Sequence, residues 1–134
     1  MLKKLNHIAI VVPDLQLACD NYQARFGADV SSLKDLPAQG VTTAFVQLAD
    51  STVELLHPLG KNSPITRFLE KNPRGAIHHL CYEVDDLDKA ILNLVAEGAK
   101  VLGDGKPKPG AHNKPVVFLD PRDFTGVLIE LEQA

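Results

Sequence analysis

An internal repeat constrains the fold of this chain more than any other feature of its sequence. The segment His7–Leu15 has the same order of residue types as His79–Leu87, at a shift of 72 residues. Further along, Val53–Leu55 resembles Ile129–Leu131, at a shift of 76 residues. Two pairings in matched order indicate a duplicated structural module rather than chance. Each half of the chain therefore offers one histidine at the start of a strand and one glutamate inside a later strand.

The first half is predicted to have the order β-α-β-β-β. The apolar run Leu5–Val12 is stopped by Pro13 and predicts a buried strand. Asp14 is a suitable N-cap for the helical pattern that follows, and Gly27 is a suitable residue to end it. Three further strands are expected, at Ala28–Leu36, Val41–Leu48 and Ser51–His57.

The second half repeats this order after a connector. A short helix is predicted over Pro64–Asn72, because proline suits a helix start and Asn-Pro ends one. Ile77–Val84 is the opening strand, and a helix capped by Asp85 or Asp86 follows it. The remaining strands are expected at Lys100–Leu102, Val116–Leu119 and Gly126–Glu132.

These patterns predict a single α+β domain. A chain of 134 residues can bury one core, but neither half could bury its sheet alone. We expect module one over residues 1–60, a connector helix over residues 61–74 and module two over residues 75–134. The tandem β-α-β-β-β modules would form a curved, partly open mixed sheet with a concave metal-binding cleft.

Four residues of the repeat are candidate metal ligands. Alternate side chains of a strand share a face, so His7 and His79 can point to the same side of their strands as the residues two positions on. Glu54 and Glu130 each lie between apolar neighbours, where a carboxylate is costly unless paired or bound to metal. A single such glutamate is more often exposed, but the duplication argues against that interpretation. Two imidazoles and two carboxylates suit Co, Ni, Mn, Fe or Zn better than Mg or Ca.

The other histidines are expected to be structural or solvated. His78 and His57 face away from the candidate ligands in the strand alternation. His112 lies in the long loop Gly103–Lys114, where a solvated histidine is the expected case, although it could touch a ligand.

The same loop, with Lys61, Arg67 and Arg74 around the connector, carries the one basic cluster, which could hold a phosphorylated carrier such as coenzyme A. Its lysines, together with His112, are therefore candidate substrate-binding residues: Lys106, Lys108 and Lys114.

Composition excludes several classes of protein. A net charge of −3 and a pI near 5.9 do not favour nucleic-acid binding. No apolar run approaches the ~20 residues of a membrane span, and the N-terminus shows no signal or transit peptide pattern. Cys19 and Cys81 do not suggest a disulfide framework. A cytoplasmic location is expected.

Several motifs resemble the vicinal-oxygen-chelate (glyoxalase-like) superfamily and, within it, the methylmalonyl-CoA epimerase family. The resemblance covers nearly the whole chain, and its most specific motifs are the His-Pro-Leu-Gly connector and the Lys-Pro-Val-x-Phe-Leu strand. The segments that carry it are Val53–Gly60, Ser63–Ile65, Phe68–Leu69, His78–His79, Glu83–Asp85, Gly110–His112, Lys114–Leu119 and Gly126–Leu131.

This resemblance implies an isomerase of propionate metabolism that interconverts (2R)- and (2S)-methylmalonyl-CoA by metal-assisted removal of the C2 proton. It implies His7, Glu54, His79 and Glu130 as ligands of one divalent ion, Co²⁺ first, with Ni²⁺, Mn²⁺ or Zn²⁺ as alternatives. Glu130 and Glu54 are the implied catalytic residues, and a homodimer is the implied assembly. Some family members have an acid just after a Gln-Gly-Val turn as a second base, but Gln39–Thr43 contains none here.

Three alternatives stay open at this point. A glyoxalase-like lyase would need a glutathione site, which the sequence does not reveal. A ring-cleaving dioxygenase would need an open site of two histidines and one carboxylate, so two carboxylates argue against it. A non-catalytic binding protein of the same fold would need no metal-ligand set, and fold alone would not separate these functions.

Overall fold

The computed structural model describes the whole chain, residues 1–134, and contains nine β-strands, three α-helices and two 3-10 helices. The chain divides into two compact units. The N-terminal unit is His7–His78, and the C-terminal unit is Met1–Asn6 together with His79–Ala134. The module bounds expected from the sequence remain a prediction. No helix is long and apolar enough to cross a bilayer.

The elements in the first part of the chain follow the predicted order, with one strand divided in two and a 3-10 helix at Pro37–Gln39. Their bounds are β1 (Leu2–Val11), α1 (Leu15–Phe26), β2 (Asp29–Val30), β3 (Lys34–Leu36), β4 (Val41–Gln47), β5 (Thr52–Pro58) and α2 (Thr66–Lys71).

In the N-terminal unit, a mixed sheet separates two apolar clusters. Strand β1 runs parallel to β5, and β4 pairs antiparallel with β5, β2 and β3. One face of the sheet packs against α1 through Leu15 and Cys19, which contact Leu55 and its neighbours. The other face contributes Val11 and Leu56 to a cluster closed by Ile65 and the partly buried residues of α2. Because side chains alternate along a strand, the face of β1 that packs against α1 is separate from the face that carries His7.

The elements in the second part repeat this plan, with a 3-10 helix at Pro121–Asp123. They are β6 (Ala76–Val84), α3 (Leu87–Ala96), β7 (Lys108–Pro109), β8 (Pro115–Leu119) and β9 (Ile129–Gln133). Strand β6 runs parallel to β9, β9 is antiparallel to β8, and β8 is antiparallel to β7. Leu87 and Ala90 of α3 pack against Val84 and Leu131 of this sheet. The predicted α+β class and the duplicated strand-helix-strand order are confirmed.

The helix caps match the prediction from sequence and decide between Asp85 and Asp86 as the cap of α3. Asp14 accepts a hydrogen bond from the Leu17 backbone at 3.0 Å, and Gly27 ends α1 in the left-handed conformation at φ 60°. Asp86, not Asp85, caps α3 by accepting from the Lys89 backbone at 3.0 Å. A cap of this kind contributes about 1 kcal/mol to stability.

Two predicted strands are shorter than expected. Ala28–Leu36 is interrupted because the Ser31 hydroxyl accepts a hydrogen bond from the Phe45 backbone at 2.8 Å, in competition with a regular ladder. Lys100–Leu102 is reduced to a single bridge between Val101 and Leu119. There the Asp123 carboxylate accepts from the Lys100 backbone N–H at 2.9 Å, so that group does not pair with a strand.

The long loop Gly103–Lys114 is partly ordered as a hairpin, which the sequence analysis did not predict. The Gly110 N–H donates to Lys114 at 2.9 Å, and the Asn113 N–H donates to Gly110 at 3.0 Å. Asn113 has φ 58°, which asparagine tolerates better than most residues. These features define a five-residue connection between β7 and β8, residues 110–114, with Asn113 in the left-handed conformation. His112 lies in the middle of this hairpin tip.

Candidate functional site

The N-terminal unit contains a buried histidine–carboxylate pair. His7 Nε2 lies 3.7 Å from Glu54 Oε1, and the side chains are 2% and 5% exposed. The parallel register of β1 and β5 places Ala9 beside Glu54. His7, two residues before Ala9 on the same face, therefore reaches the glutamate diagonally.

The C-terminal unit contains the equivalent pair. His79 Nε2 lies 2.9 Å from Glu130 Oε2, and both side chains are buried. Strands β6 and β9 are also parallel, and Cys81 lies beside Glu130, so His79 again precedes the opposite residue by two positions. Phe118 of β8 contacts the His79 ring edge-on at a centroid distance of 5.3 Å, which restricts the orientation of the imidazole.

The two pairs have the donor chemistry of a divalent-metal site. Each offers one imidazole nitrogen and one carboxylate oxygen, and the histidines and glutamates carry ligand atoms that could hold an ion. Burying a carboxylate is costly unless a cation or donors balance it, and a bound ion would supply that balance. The residues present therefore fit a divalent metal. The repeat points to the same four residues, and their role as ligands of one ion stays a prediction.

The sequence pattern did not lead to a further buried carboxylate, Glu132. It is 1% exposed and shares the inward face of β9 with Glu130. Its Oε2 lies 3.2 Å from His112 Nδ1, and its Oε1 accepts from Asn6 Nδ2 at 3.4 Å. Asn6 Nδ2 also lies 3.5 Å from Glu83 Oε2 and so links two acids on neighbouring strands. The Glu-Leu-Glu alternation of residues 130–132 is the signal that could have revealed it.

The interpretation of His112 as a merely solvated loop residue is wrong. The turn of the β7–β8 hairpin brings its ring onto Glu132, while its side chain stays 36% exposed. The same hairpin passes directly over Glu130. A methyl group added at Gly110 would lie 3.4 Å from Glu130 Oε1 and only 2.7 Å from Val116 Cγ1. Only glycine allows the backbone to approach this closely.

The loop lysines lie at the surface. Lys108 Nζ contacts Asp104 Oδ2 at 2.9 Å, and this contact is the main reason that the pKa of Asp104 is lowered. Lys106 and Lys114 are exposed, and the Lys106 backbone N–H donates to Asp104. The loop therefore presents two exposed lysines, Lys106 and Lys114, and one lysine that already contacts an acid of its own loop.

The remaining histidines and Cys19 occupy structural positions, as the sequence predicts. His57 Nδ1 lies 2.9 Å from the Val12 carbonyl oxygen, and His78 packs edge-on against Phe68 at 4.8 Å. Cys19 and Cys81 are buried and form no disulfide. Burial, with a smaller contribution from Asp20, raises the pKa of the Cys19 thiol, which makes it a poor nucleophile.

Comparison with known proteins agrees with this architecture. Residues 6–118 match the model of the Glyoxalase/Bleomycin resistance protein/Dioxygenase superfamily. The chain is 56% identical to the ethylmalonyl-CoA/methylmalonyl-CoA epimerase of Cereibacter sphaeroides over 99% of both chains. It is 54% identical to the mitochondrial methylmalonyl-CoA epimerase of Dictyostelium discoideum, over 97% of this chain and 78% of the relative.

A solved epimerase structure has the same fold. A methylmalonyl-CoA epimerase in complex with methylmalonyl-CoA and NH4+ superposes with a TM-score of 0.90 at 30% identity, covering 100% of this chain and 96% of the other. The agreement extends over the full length of the chain. The chain therefore belongs to the methylmalonyl-CoA epimerase family of the glyoxalase-like superfamily.

Proposed function

We propose that this protein is an isomerase that interconverts (2R)- and (2S)-methylmalonyl-CoA. The observation that carries the proposal is the pair of buried histidine–glutamate contacts in the same strand register, in a chain 56% identical to an epimerase of this substrate class. The alternatives of a glyoxalase-like lyase and of a non-catalytic binding protein have no comparable support.

One divalent ion is held by His7, Glu54, His79 and Glu130 in this proposal, with Co²⁺ as the first candidate and Ni²⁺, Mn²⁺ or Zn²⁺ as alternatives. When bound, such an ion supplies Lewis-acid stabilisation of the negative charge that develops on the substrate's carbonyl oxygens, worth several kcal/mol. The support is the donor set itself and the burial of all four side chains.

The chemistry of the chain's own residues begins with a carboxylate base. The C2 proton of a malonyl thioester lies between two carbonyl groups, and its removal leaves an enolate. We assign this step to Glu130, with Glu54 as the alternative carboxylate, because both are buried where solvent competes least. Protonation of the enolate on the opposite face inverts the centre. A second proton-carrying group must therefore lie on that face.

The coenzyme A tail is assigned to the surface around the β7–β8 hairpin. Lys106, Lys108 and Lys114 are its proposed contacts, because a nucleotide phosphate needs cations that remain accessible. Exposed contacts of this kind are worth about 0–1 kcal/mol each. Several must act together to hold the substrate.

The test is conversion of a single epimer. Purified protein loaded with Co²⁺ is given (2S)-methylmalonyl-CoA, and an enzyme that accepts only the (2R) epimer measures product formation. The proposal predicts turnover far above the slow spontaneous rate. Absence of (2R) product over a panel of Co²⁺, Ni²⁺, Mn²⁺ and Zn²⁺ would contradict it.

Assembly and location are part of the same proposal. A homodimer is proposed because the family commonly pairs its subunits, and sedimentation showing only a 14.6 kDa species at micromolar concentration would contradict it. A cytoplasmic role in propionate metabolism is proposed with neither a nucleic acid nor a membrane as partner, supported by two buried cysteines that form no disulfide and by a net charge of −3.

A further inference from the structure

The C-terminal unit contains a second histidine–carboxylate pair, separate from the proposed metal ligands. Glu132 is buried on the inward face of β9, and His112 reaches it from the hairpin tip with Nδ1 at 3.2 Å. Burying this carboxylate is costly without partners, and its partners are His112 and Asn6. The contact fixes the ring by Nδ1, while 36% of the side chain remains exposed. A carboxylate on Nδ1 is the arrangement that orients a histidine for acid–base chemistry at Nε2.

We propose that His112 is the second acid–base residue of the epimerisation and that Glu132 positions it. This inference rests on the proposed function and assigns the group that acts on the face of C2 opposite Glu130. Glu130 lies on strand β9, whereas His112 lies at the tip of the β7–β8 hairpin, whose Gly110 approaches Glu130. The two groups therefore approach a ligand from different elements.

The hairpin brings His112 to the part of the C-terminal unit that holds Glu130. Glu130 and Glu132 lie two residues apart on one face of β9. His112 contacts Glu132, and Gly110 of the same hairpin approaches Glu130.

The other candidates for this role are weaker. The segment Gln39–Thr43 contains no acid, and the Thr43 hydroxyl at its end is fully buried with no hydrogen-bond partner. An imidazolium stabilised by a buried carboxylate carries the required proton and lies outside the ligand set.

Protons balance in both directions. From one epimer, the Glu130 carboxylate takes the C2 proton, the C–H electron pair becomes the enolate, and Nε2–H of the His112 imidazolium protonates C2 on the opposite face. The products are a neutral imidazole and a carboxylic acid, which exchange protons with solvent to restore the starting state. From the other epimer, neutral His112 takes the proton and protonated Glu130 returns one.

The test is made in heavy water with the metal-loaded protein and each epimer in turn. It measures two rates separately: exchange of the C2 proton for deuterium, and inversion of the configuration at C2. The variant is His112→Asn, whose amide can keep a donor near Glu132 but has no group at Nε2. Asn113→Gly is the matched control, because glycine also adopts the φ of 58° at that tip position. Thermal unfolding checks that both variants fold.

Wild type and Asn113→Gly should exchange and invert at similar rates. His112→Asn should incorporate deuterium from one epimer at least tenfold faster than it inverts it, and should neither exchange nor invert the other. Glu132→Gln should lower inversion roughly tenfold with a smaller bias of the same sign. Parallel loss of exchange and inversion from both epimers, or unchanged inversion, would overturn the assignment. Absence of both reactions in wild type would instead reject the proposed function.

Discussion

His79 Nε2 lies 2.9 Å from Glu130 Oε2 in a buried contact, and His7 and Glu54 repeat this relation at 3.7 Å on the equivalent strands of the N-terminal unit. In each case the histidine precedes by two residues the position that faces the glutamate. Duplicated register, and not merely duplicated sequence, therefore produces the two halves of the proposed ligand set.

Replacing His79 should abolish turnover. Changes to groups that only support metal ligands cost about 10–100-fold, so His79→Ala should lower kcat/KM by more than about 100-fold. The midpoint of thermal unfolding in the presence of metal should also fall, because a ligand that binds only the folded state stabilises it. His78→Gln is the control, since that ring faces Phe68. Full turnover in His79→Ala would refute the role of His79.

The two glutamates should behave differently. Glu130→Gln should reduce C2 deuterium uptake by roughly 100-fold or more, because removal of a general base costs 10²–10⁴-fold. Glu54→Gln should retain more activity, since an amide oxygen can still act as a ligand, but should need more metal for half-maximal activity. Metal titrations followed by exchange kinetics measure both effects. Equal losses in the two variants at saturating metal would argue against Glu130 as the base.

Charge reversal on the hairpin should weaken binding of the coenzyme A ester. Replacing Lys106 and Lys108 together by glutamate should raise KM roughly tenfold, about 1.4 kcal/mol, with kcat nearly unchanged, which indicates loss of uniform binding. The effect should shrink at high salt. Lys34→Glu with Lys89→Glu is a charge-matched control at exposed positions of β3 and α3. An unchanged KM at low salt would place the tail elsewhere, near Arg67 and Arg74.

Acid stability should depend on Asp120. Hydrogen bonds from Arg122, first from its side chain and then from its backbone, lower the pKa of Asp120 to about 2 from a usual 3.8. Because the folded pKa is depressed, the stabilisation is present above pH 3.8 and is lost as the pH falls towards 2. Urea midpoints of wild type and Asp120→Asn should differ at pH 5 and converge near pH 2. A difference that persists at pH 2 would contradict this account.

Sequence reasoning succeeded where the information was repeated or local. The repeat located both histidine–glutamate pairs, and capping chemistry located the ends of α1. It failed at Glu132 and His112, because their contact joins a strand to a hairpin tip 20 residues away and depends on how the loop folds. That hairpin is defined by the left-handed Asn113 and by the close approach of Gly110 to Val116, neither of which has a periodic signal in the sequence.

The most direct test of the central claim is deuterium uptake at C2 of methylmalonyl-CoA in heavy water, with and without a chelator. The account predicts rapid uptake by the metal-loaded protein, reduction to the spontaneous rate after chelation, and recovery when Co²⁺ is added back. The stated requirement for metal would be contradicted by rapid uptake that persists after the metal has been removed and its absence verified. The assignment as an epimerase would be contradicted by the absence of uptake in the loaded protein.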